Sequence, residues 1–420
     1  MKARECAYQI LKSICMEKRY SNIALKEDLV GFSDIDKAFI TNIVYGTLQR
    51  CRYLRYQWQN YPKIMPREEI SVLIDMSVYQ LFFMDKVPDY AIVNESVEIA
   101  KKLFNGKFEK FVNAILHQVI RNGEKIVVGN DLERKAILSS LPIWLVTMWC
   151  KQYGQEIAFQ ICDSMNRIPM QVARVNTLKI TKEEVKKLNP DFSDGNLCEN
   201  SLIYRKGNIA ATDEFKKGYV TIQDESAQFV SEWLNPKENE TILDMCAAPG
   251  SKTCHIGSLM KNKGKLYALD IHEHRVDLIK YNARRLGIIM IEALAKDATK
   301  LEDTFKKESF DRILLDGPCS GYGVLNRKSD IKYHMKSEDM DSCIKAQKDL
   351  LESAAIYLKP GGVLVYSTCT LNKKENEKQI ALFLKRHLEF ELEKERTIFP
   401  FEYESDGFYI AKLKKRKKNR

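Results

Sequence analysis

The amino-acid sequence predicts a multidomain fold: an all-α bundle at the N-terminus, a small mixed α/β insert, and a C-terminal α/β domain built on a parallel, doubly wound sheet. Three observations carry this. Residues 1–125 repeat apolar positions at helical spacing and contain little glycine. From about residue 221 onward, strand, loop and helix patterns alternate, as they do when crossover helices join parallel strands. The chain has 420 residues, more than one hydrophobic core ordinarily organises.

In the N-terminal part, Ala7, Ile10, Leu11 and Ile14 share one helical face. Ile35, Phe39 and Ile43 do the same in a helix expected over 34–55, with Ser33 as its N-cap. An apolar helix over 72–84 should end near Pro88, because proline lacks the backbone donor and clashes with the preceding turn. Further helices are expected over 90–103 and 107–121, and helical spacing continues through 126–165 past Trp144 and Trp149. From Val172 the texture changes: 172–177 and 220–222 read as strands around a polar loop at 191–200. Strands are then expected at 241–245, 265–270, 312–316 and 363–367, with helices over 275–286 and 341–358. The expected domains are therefore 1–125, helical; 126–220, linker helices and a small α/β subdomain; 221–413, the α/β domain; and 414–420, a basic tail.

Composition narrows the class. Hydrophobic residues are 45% and charged residues 30%, as in soluble globular chains. No apolar run of about 18 residues predicts a transmembrane helix, and the first residues lack the apolar core of a signal peptide, so a cytoplasmic location and no membrane partner are expected. The 11 cysteines show no CxxC pair, which favours free thiols over disulfides or a metal site. A net charge of +10 and the lysine-rich run at 412–420 favour a polyanionic partner.

The chemistry gathers at strand ends, where ligands of open parallel sheets bind. The first strand runs into Asp244-Met245-Cys246-Ala247-Ala248-Pro249-Gly250-Ser251-Lys252-Thr253, whose small residues let a ligand approach the backbone. Asp270 ends the next strand, where a carboxylate can accept from ribose hydroxyls, and Asp297 is placed to meet an adenine edge. The loop is neither GxGxxG nor GxxxxGK[ST], so a ligand without phosphates to cradle, S-adenosylmethionine, suits it better than a dinucleotide or ATP. Two further ends carry thiols: Leu315-Asp316-Gly317-Pro318-Cys319-Ser320-Gly321 and Tyr366-Ser367-Thr368-Cys369-Thr370. Packing alone accounts poorly for two cysteines facing one cleft. Methylation at carbon 5 of cytosine accounts for them well. A thiolate adding at carbon 6 makes the ring nucleophilic, a carboxyl near nitrogen 3 stabilises the adduct, and a second group assists the later elimination.

With these motifs in place, the sequence resembles the RNA 5-methylcytosine methyltransferases. The resemblance lies in Asp224-Glu225-Ser226-Ala227-Gln228, in 244–253 and 314–323, in Asp330-Ile331-Lys332, and in 366–371 followed by Glu375-Asn376. The helical part, with Ser21-Asn22 and Gly46-Thr47-Leu48, resembles a NusB-type RNA-binding domain, a pairing typical of the bacterial 16S rRNA methyltransferase B (Sun/Fmu) type. The resemblance implies a Rossmann-like S-adenosylmethionine-dependent methyltransferase domain. Its cofactor pocket would be formed by Cys246, Ala247, Ala248, Pro249, Gly250, Ser251, Lys252, Asp270, Asp297 and Asp316. It further implies Cys369 as nucleophile, Cys319 in product release and Asp316 as a catalytic carboxylate. The substrate implied is RNA, 16S rRNA ahead of tRNA; a monomer is the default expectation, and the cysteine spacing leads to no metal being expected. One departure is Gly250-Ser251-Lys252, where the family usually has two glycines before the lysine.

Two rival readings stand beside this one. A DNA cytosine methyltransferase would use Cys319 as the attacking thiol, and the second cysteine and the NusB-like part argue against it. A non-catalytic RNA-binding or assembly protein would not need Asp316, Cys319 and Cys369 intact. The Asn/Asp-Pro-Pro-Tyr signature of amino-nitrogen methyltransferases is absent.

Overall fold

The computed structural model describes residues 2–417. The chain forms two compact units: residues 1–168 with 325–337, and residues 169–324 with 338–420.

The helical unit holds α1 (Ala3–Glu17), α2 (Ser21–Asp28), α3 (Asp34–Gln49), α4 (Cys51–Trp58), α5 (Glu68–Phe83), α6 (Asp89–Leu103), α7 (Glu109–Asn122), α8 (Asp131–Leu138), α9 (Ile143–Tyr153) and α10 (Gln155–Ser164). Ser33 caps α3 by accepting from Asp36 N, as expected. The helix expected over 34–55 is two helices that part at Arg50. Ile10, Leu11, Ile43, Leu54, Ile74 and Leu116 are among the fully buried residues of a single apolar core.

No compact unit ends at residue 125: helices α8–α10 fold with the first seven. A short helix at Ser329–His334, far along the chain, also belongs here. Its Lys332 is fully buried, and its Nζ donates to Gln49 O (3.1 Å), Ser139 O (3.3 Å), Met165 O (3.0 Å) and Asn166 Oδ1 (3.0 Å). Burial pushes the Lys332 ammonium down to about 7, and these four oxygens are what make an amine tolerable there.

The second unit opens with a four-stranded antiparallel sheet in the order β2-β3-β1-β4. Its elements are β1 (Gln171–Val175), α11 (Lys182–Leu188), β2 (Phe192–Asp194), β3 (Ser201–Tyr204), α12 (Asp213–Lys216) and β4 (Val220–Ile222). Then follow α13 (Glu225–Leu234), β5 (Thr241–Asp244), α14 (Ser251–Leu259), β6 (Lys265–Asp270), α15 (Glu273–Leu286), β7 (Ile291–Ala295) and β8 (Phe310–Asp316). After α16 (Ser329–His334) of the helical unit come α17 (Asp339–Tyr357), β9 (Leu358–Thr368), α18 (Glu377–Arg386), β10 (Phe390–Ile398), α19 (Pro400–Tyr403) and β11 (Phe408–Lys415).

These strands form a seven-stranded sheet, β10-β11-β9-β8-β5-β6-β7. Strands β5 to β9 pair in parallel, and β11 runs antiparallel to both β9 and β10. Chain order reverses at β5, which lies between β6 and β8, so the switch point faces the loop after Asp244.

The basic tail expected from 414 is corrected at its start. Lys414 and Lys415 are the last residues of β11, and Lys415 Nζ donates to Ala355 O (2.8 Å) and Leu358 O (2.9 Å). Backbone pairing to β9 and β10 and these carbonyls hold what charge alone suggested was solvated. Residues 418–420 of that run lie outside the described residues. No helix of the described residues is long and apolar enough to cross a membrane.

Lys332→Met should take this donor from the buried Ser139 O and from Gln49 O and Asn166 Oδ1, while Met165 O keeps Gln49 Nε2. Each costs about 1–3 kcal/mol when left without a donor, so a stability loss of about 3 kcal/mol or more is expected in a denaturant melt. An unchanged midpoint would show that the amine contributes nothing to the helical unit.

Candidate active site

The ligand loop is fixed at both edges of β5. Met245 N donates to Leu314 O of β8 (3.0 Å) and Ala247 N to Leu269 O of β6 (2.8 Å). Gly250 has φ +97°, and a Cβ there would meet Ile279 Cα at 3.0 Å, so the position excludes a side chain twice over. Helix α14 begins at Ser251 without a side-chain cap, which leaves its first amides facing the loop. Ser251 has no left-handed backbone, so the serine that departs from the family pattern sits there without strain. The buried Arg174 of β1 donates to Ser251 O (2.9 Å) and holds the helix start from the other side. An arginine within the apolar run Val172-Ala173-Arg174-Val175 was the signal for it, and the sequence reading did not use it.

Cys246, Ala247, Ala248, Pro249, Ser251 and Lys252 line a cavity of about 50 Å3 together with Asp244 and Asp316. Asp244 Oδ2 accepts from Thr253 Oγ1 (2.7 Å), while its buried Oδ1 has no hydrogen-bond partner. Burial pushes Asp244 up to about 7. Asp316 Oδ2 lies 2.6 Å from Lys252 Nζ, and its Oδ1 accepts from Ser367 Oγ (2.7 Å). Burial opposes the Lys252 charge, but Asp316 first and Cys369 next outweigh it, so its pKa is raised.

Asp270 and Asp297 stand outside that cavity lining. Asp270 ends β6, accepts from His272 N (3.1 Å) and pairs with Arg275 at 3.2 Å. Asp297 follows β7 and accepts from Thr299 Oγ1 (2.6 Å) and Thr299 N (2.9 Å), bonds that hold its carboxyl below the usual range.

The two predicted thiols meet. Asp316 pairs in register with Ser367, so the parallel strands β8 and β9 end together and deliver Cys319 Sγ to 3.4 Å from Cys369 Sγ. Gly317 N donates to Ser367 O (3.0 Å) and Gly323 N to Cys369 O (3.0 Å), which ties the two loops along their length. The hydrogen bond with Cys369, and then burial, hold Cys319 well above the usual thiol range. Burial and the carboxylates of Asp244, Asp316 and Asp270 keep Cys246 a thiol as well. Both partners of Asp316 lay within quoted motifs, but sequence reasoning assigned Lys252 only to the cofactor loop and gave Ser367 no role.

Among the described residues no group of three or more His, Cys, Asp and Glu side chains could hold a metal ion. The site's chemistry is instead an acidic pocket with one lysine, beside a pair of thiols.

The architecture and its relatives define an RNA methyltransferase. A model of the 16S rRNA methyltransferase RsmB/F family matches residues 231–414, a ferredoxin-like domain of RsmF/B-like methyltransferases matches 141–188, and the NusB family matches 1–121. The "probable ribosomal RNA small subunit methyltransferase B" of Bacillus subtilis is 39% identical, covering 98% of both chains. The ribosomal RNA small subunit methyltransferase B of Proteus mirabilis is 33% identical over 92% of each. A crystal structure of a methyltransferase homologue from Pyrococcus horikoshii is 30% identical with a TM-score of 0.61, covering 69% of this chain and all of that one. The chain belongs to the 16S rRNA methyltransferase RsmB/F family.

Asp244 gives the site a pH signature. Its folded pKa of about 7 lies above the ordinary 3.8, so the folded protein keeps a proton that the unfolded chain gives up. Its contribution to stability is full below about pH 4 and is lost as pH rises through about 7. Denaturant melts between about pH 4 and pH 8 should show this loss, about 2–4 kcal/mol for a shift of this size. Asp244→Asn should not show it; parallel curves for the two proteins would mean that Asp244 is ionised throughout.

Proposed function

We propose that the protein transfers the methyl group of S-adenosylmethionine to carbon 5 of a cytosine in 16S rRNA, with tRNA the second choice, through a covalent bond between Cys369 and carbon 6. The observation that carries this is the thiol pair, 3.4 Å apart at the ends of adjacent strands and beside the Lys252–Asp316 ion pair. The names of the relatives supply the RNA class. A cytoplasmic monomer is part of the same reading.

The pocket suits a cationic cofactor. Three strand-end carboxylates, Asp244, Asp316 and Asp270, act together on Cys246, and the buried Asp244 Oδ1 has no partner. The loop from Cys246 to Lys252 would hold the cofactor, Asp316 would close the pocket, and Asp270 and Asp297 would serve its ribose and adenine. S-adenosylmethionine supplies an electrophilic methyl group on a sulfonium.

The residues then act in order. Cys369 adds to carbon 6 of the cytosine as a thiolate, with the Lys252 ammonium offsetting negative charge nearby. Asp316, held between Lys252 and Ser367, offers its carboxyl to the ring edge at nitrogen 3. Carbon 5 takes the methyl group and must then lose its proton. Cys319 is kept a thiol first by its hydrogen bond to Cys369. Once that sulfur is bonded to carbon, this hold ends, and Cys319 can give up its own proton to solvent water, the net proton the reaction releases, and accept the one on carbon 5. The carbon–sulfur bond breaks, Cys369 leaves as a thiolate, and the methylated base is free.

Two measurements test this. Cys369→Ala should abolish methylation and give no RNA-linked protein, whereas Cys319→Ala should accumulate an RNA-linked band on denaturing gels that carries the methyl label. A band in Cys369→Ala and none in Cys319→Ala would reverse the two roles. Asp270→Ala should weaken S-adenosylmethionine binding about ten- to a hundredfold, the loss of a hydrogen bond to a charged group. Calorimetry on the folded variant decides, and unchanged affinity would place the ribose elsewhere.

A further inference from the structure

Beside the thiols lies a carboxylate that the reaction as derived does not use. Glu375 is fully buried. Its Oε2 accepts from Ser320 N (2.9 Å) and Gln347 Nε2 (3.2 Å), and its Oε1 from Ser320 Oγ (2.5 Å) and Asn372 Nδ2 (2.9 Å). These donors are all neutral. A carboxylate buried among neutral donors is costly to keep, and an apolar side chain would fill such a space at lower cost. The four bonds therefore have to be explained by what they hold.

What they hold is the loop of Cys319. Ser320 is the next residue, and both of its polar hydrogens end on Glu375. The Gln347 amide that donates to Glu375 also donates to Pro318 O (2.8 Å), the residue before Cys319. Cys319 is thus gripped on both flanks by one Glu375–Gln347 unit. Cys369 is placed first by its strand, and Ser320 Oγ reaches only its neighbour, Thr370 Oγ1 (2.7 Å). Cys369 follows β9, whose register with β8 fixes it, and its carbonyl accepts from Gly323 N.

We propose that Glu375 is the positioning residue for Cys319: it fixes the Pro318–Ser320 backbone so that the Cys319 thiol meets the base at the release step. This rests on the reading of Cys369 as the attacking thiol and Cys319 as the releasing one. After Cys369 and burial, the Glu375 charge is a further influence keeping Cys319 protonated until that step.

Glu375→Gln turns one of the two accepting oxygens into a donor among donors, without changing size. Turnover should fall about ten- to a hundredfold, the range for losing a buried hydrogen-bond partner, while the KM for S-adenosylmethionine stays as in wild type. Methyl-labelled, RNA-linked protein should accumulate, as it does for Cys319→Ala, and adding Cys369→Ala should erase the band. Glu375→Asp should recover part of the turnover. Ser320→Ala, which removes the hydroxyl bonds to Glu375 and Thr370 but keeps the amide bond to Glu375, should give a weaker band of the same kind and covers the case in which Glu375→Gln folds poorly. If both variants lose activity without a band while Cys319→Ala shows one, Glu375 serves the fold alone and the inference is overturned. If Cys319→Ala itself shows no band, the assignment of the two thiols fails and takes this inference with it.

Discussion

The parallel pairing of β8 with β9 is the constraint on which the site depends. Asp316 and Ser367 face each other in register, so two chain segments 51 positions apart along the sequence reach the end of the sheet at the same height. In a strand the side-chain period is two, and a slip of one residue would send Asp316 and Ser367 to opposite faces. The apolar run Ile313-Leu314-Leu315 on one side and Leu364-Val365-Tyr366 on the other, all fully buried, is what forbids that slip. From this register follow the Asp316–Ser367 bond, the bond from Gly317 to Ser367, and the meeting of the two thiols. The geometry of the candidate site is a consequence of core packing a few residues earlier in each strand.

The same arrangement sorts the charges. Asp316 has a lysine at 2.6 Å and a hydroxyl, so it is held as an acceptor from both sides. Asp244, one strand over, accepts from the Thr253 hydroxyl, and burial raises it to about 7. Two carboxylates lining one small cavity thus have different partners: an ammonium and a hydroxyl on Asp316, a hydroxyl on Asp244. The Cys319 proton is held by its neighbour Cys369, its burial and the carboxylate behind its loop.

Much of this was legible before any coordinates. Strands 265–270, 312–316 and 363–367 lie within β6, β8 and β9, because buried parallel strands are short apolar runs bounded by polar residues. The two thiol motifs were legible because chemistry-bearing residues at strand ends are unusual against that background. β7, β10 and β11 were not. Residues 390–398 read Phe-Glu-Leu-Glu-Lys-Glu-Arg-Thr-Ile, a charged stretch whose pairing is supplied by β11 and not by its own pattern. The lysines that end β11 looked like a tail for the same reason: strand pairing and the two carbonyls that receive Lys415 are long-range facts. Lys252 and Ser367 were visible as letters in motifs, but a sequence carries no distances, so their convergence on Asp316 was not.

The segment 325–337 shows the limit of reading a motif as chemistry. Asp330-Ile331-Lys332 travels in sequence with the catalytic motifs, twelve to fourteen positions after Pro318. In the fold it belongs to the helical unit. There Asp330 accepts from Ser21 Oγ (3.0 Å), His334 Nε2 lies 2.7 Å from Ile14 O, Tyr333 meets Glu68, and Lys332 gathers oxygens from residues 49, 139, 165 and 166. One buried amine thereby joins the end of α3, the end of α8 and the turn after α10. That is why no compact unit ends at 125 and why the helical unit is assembled from two stretches of chain. A lysine with four oxygen partners and no exposure has its donors committed to the helical unit. The residues of this motif answer to the packing of the helices, and the paired thiols lie instead at the two strand ends that precede and follow it.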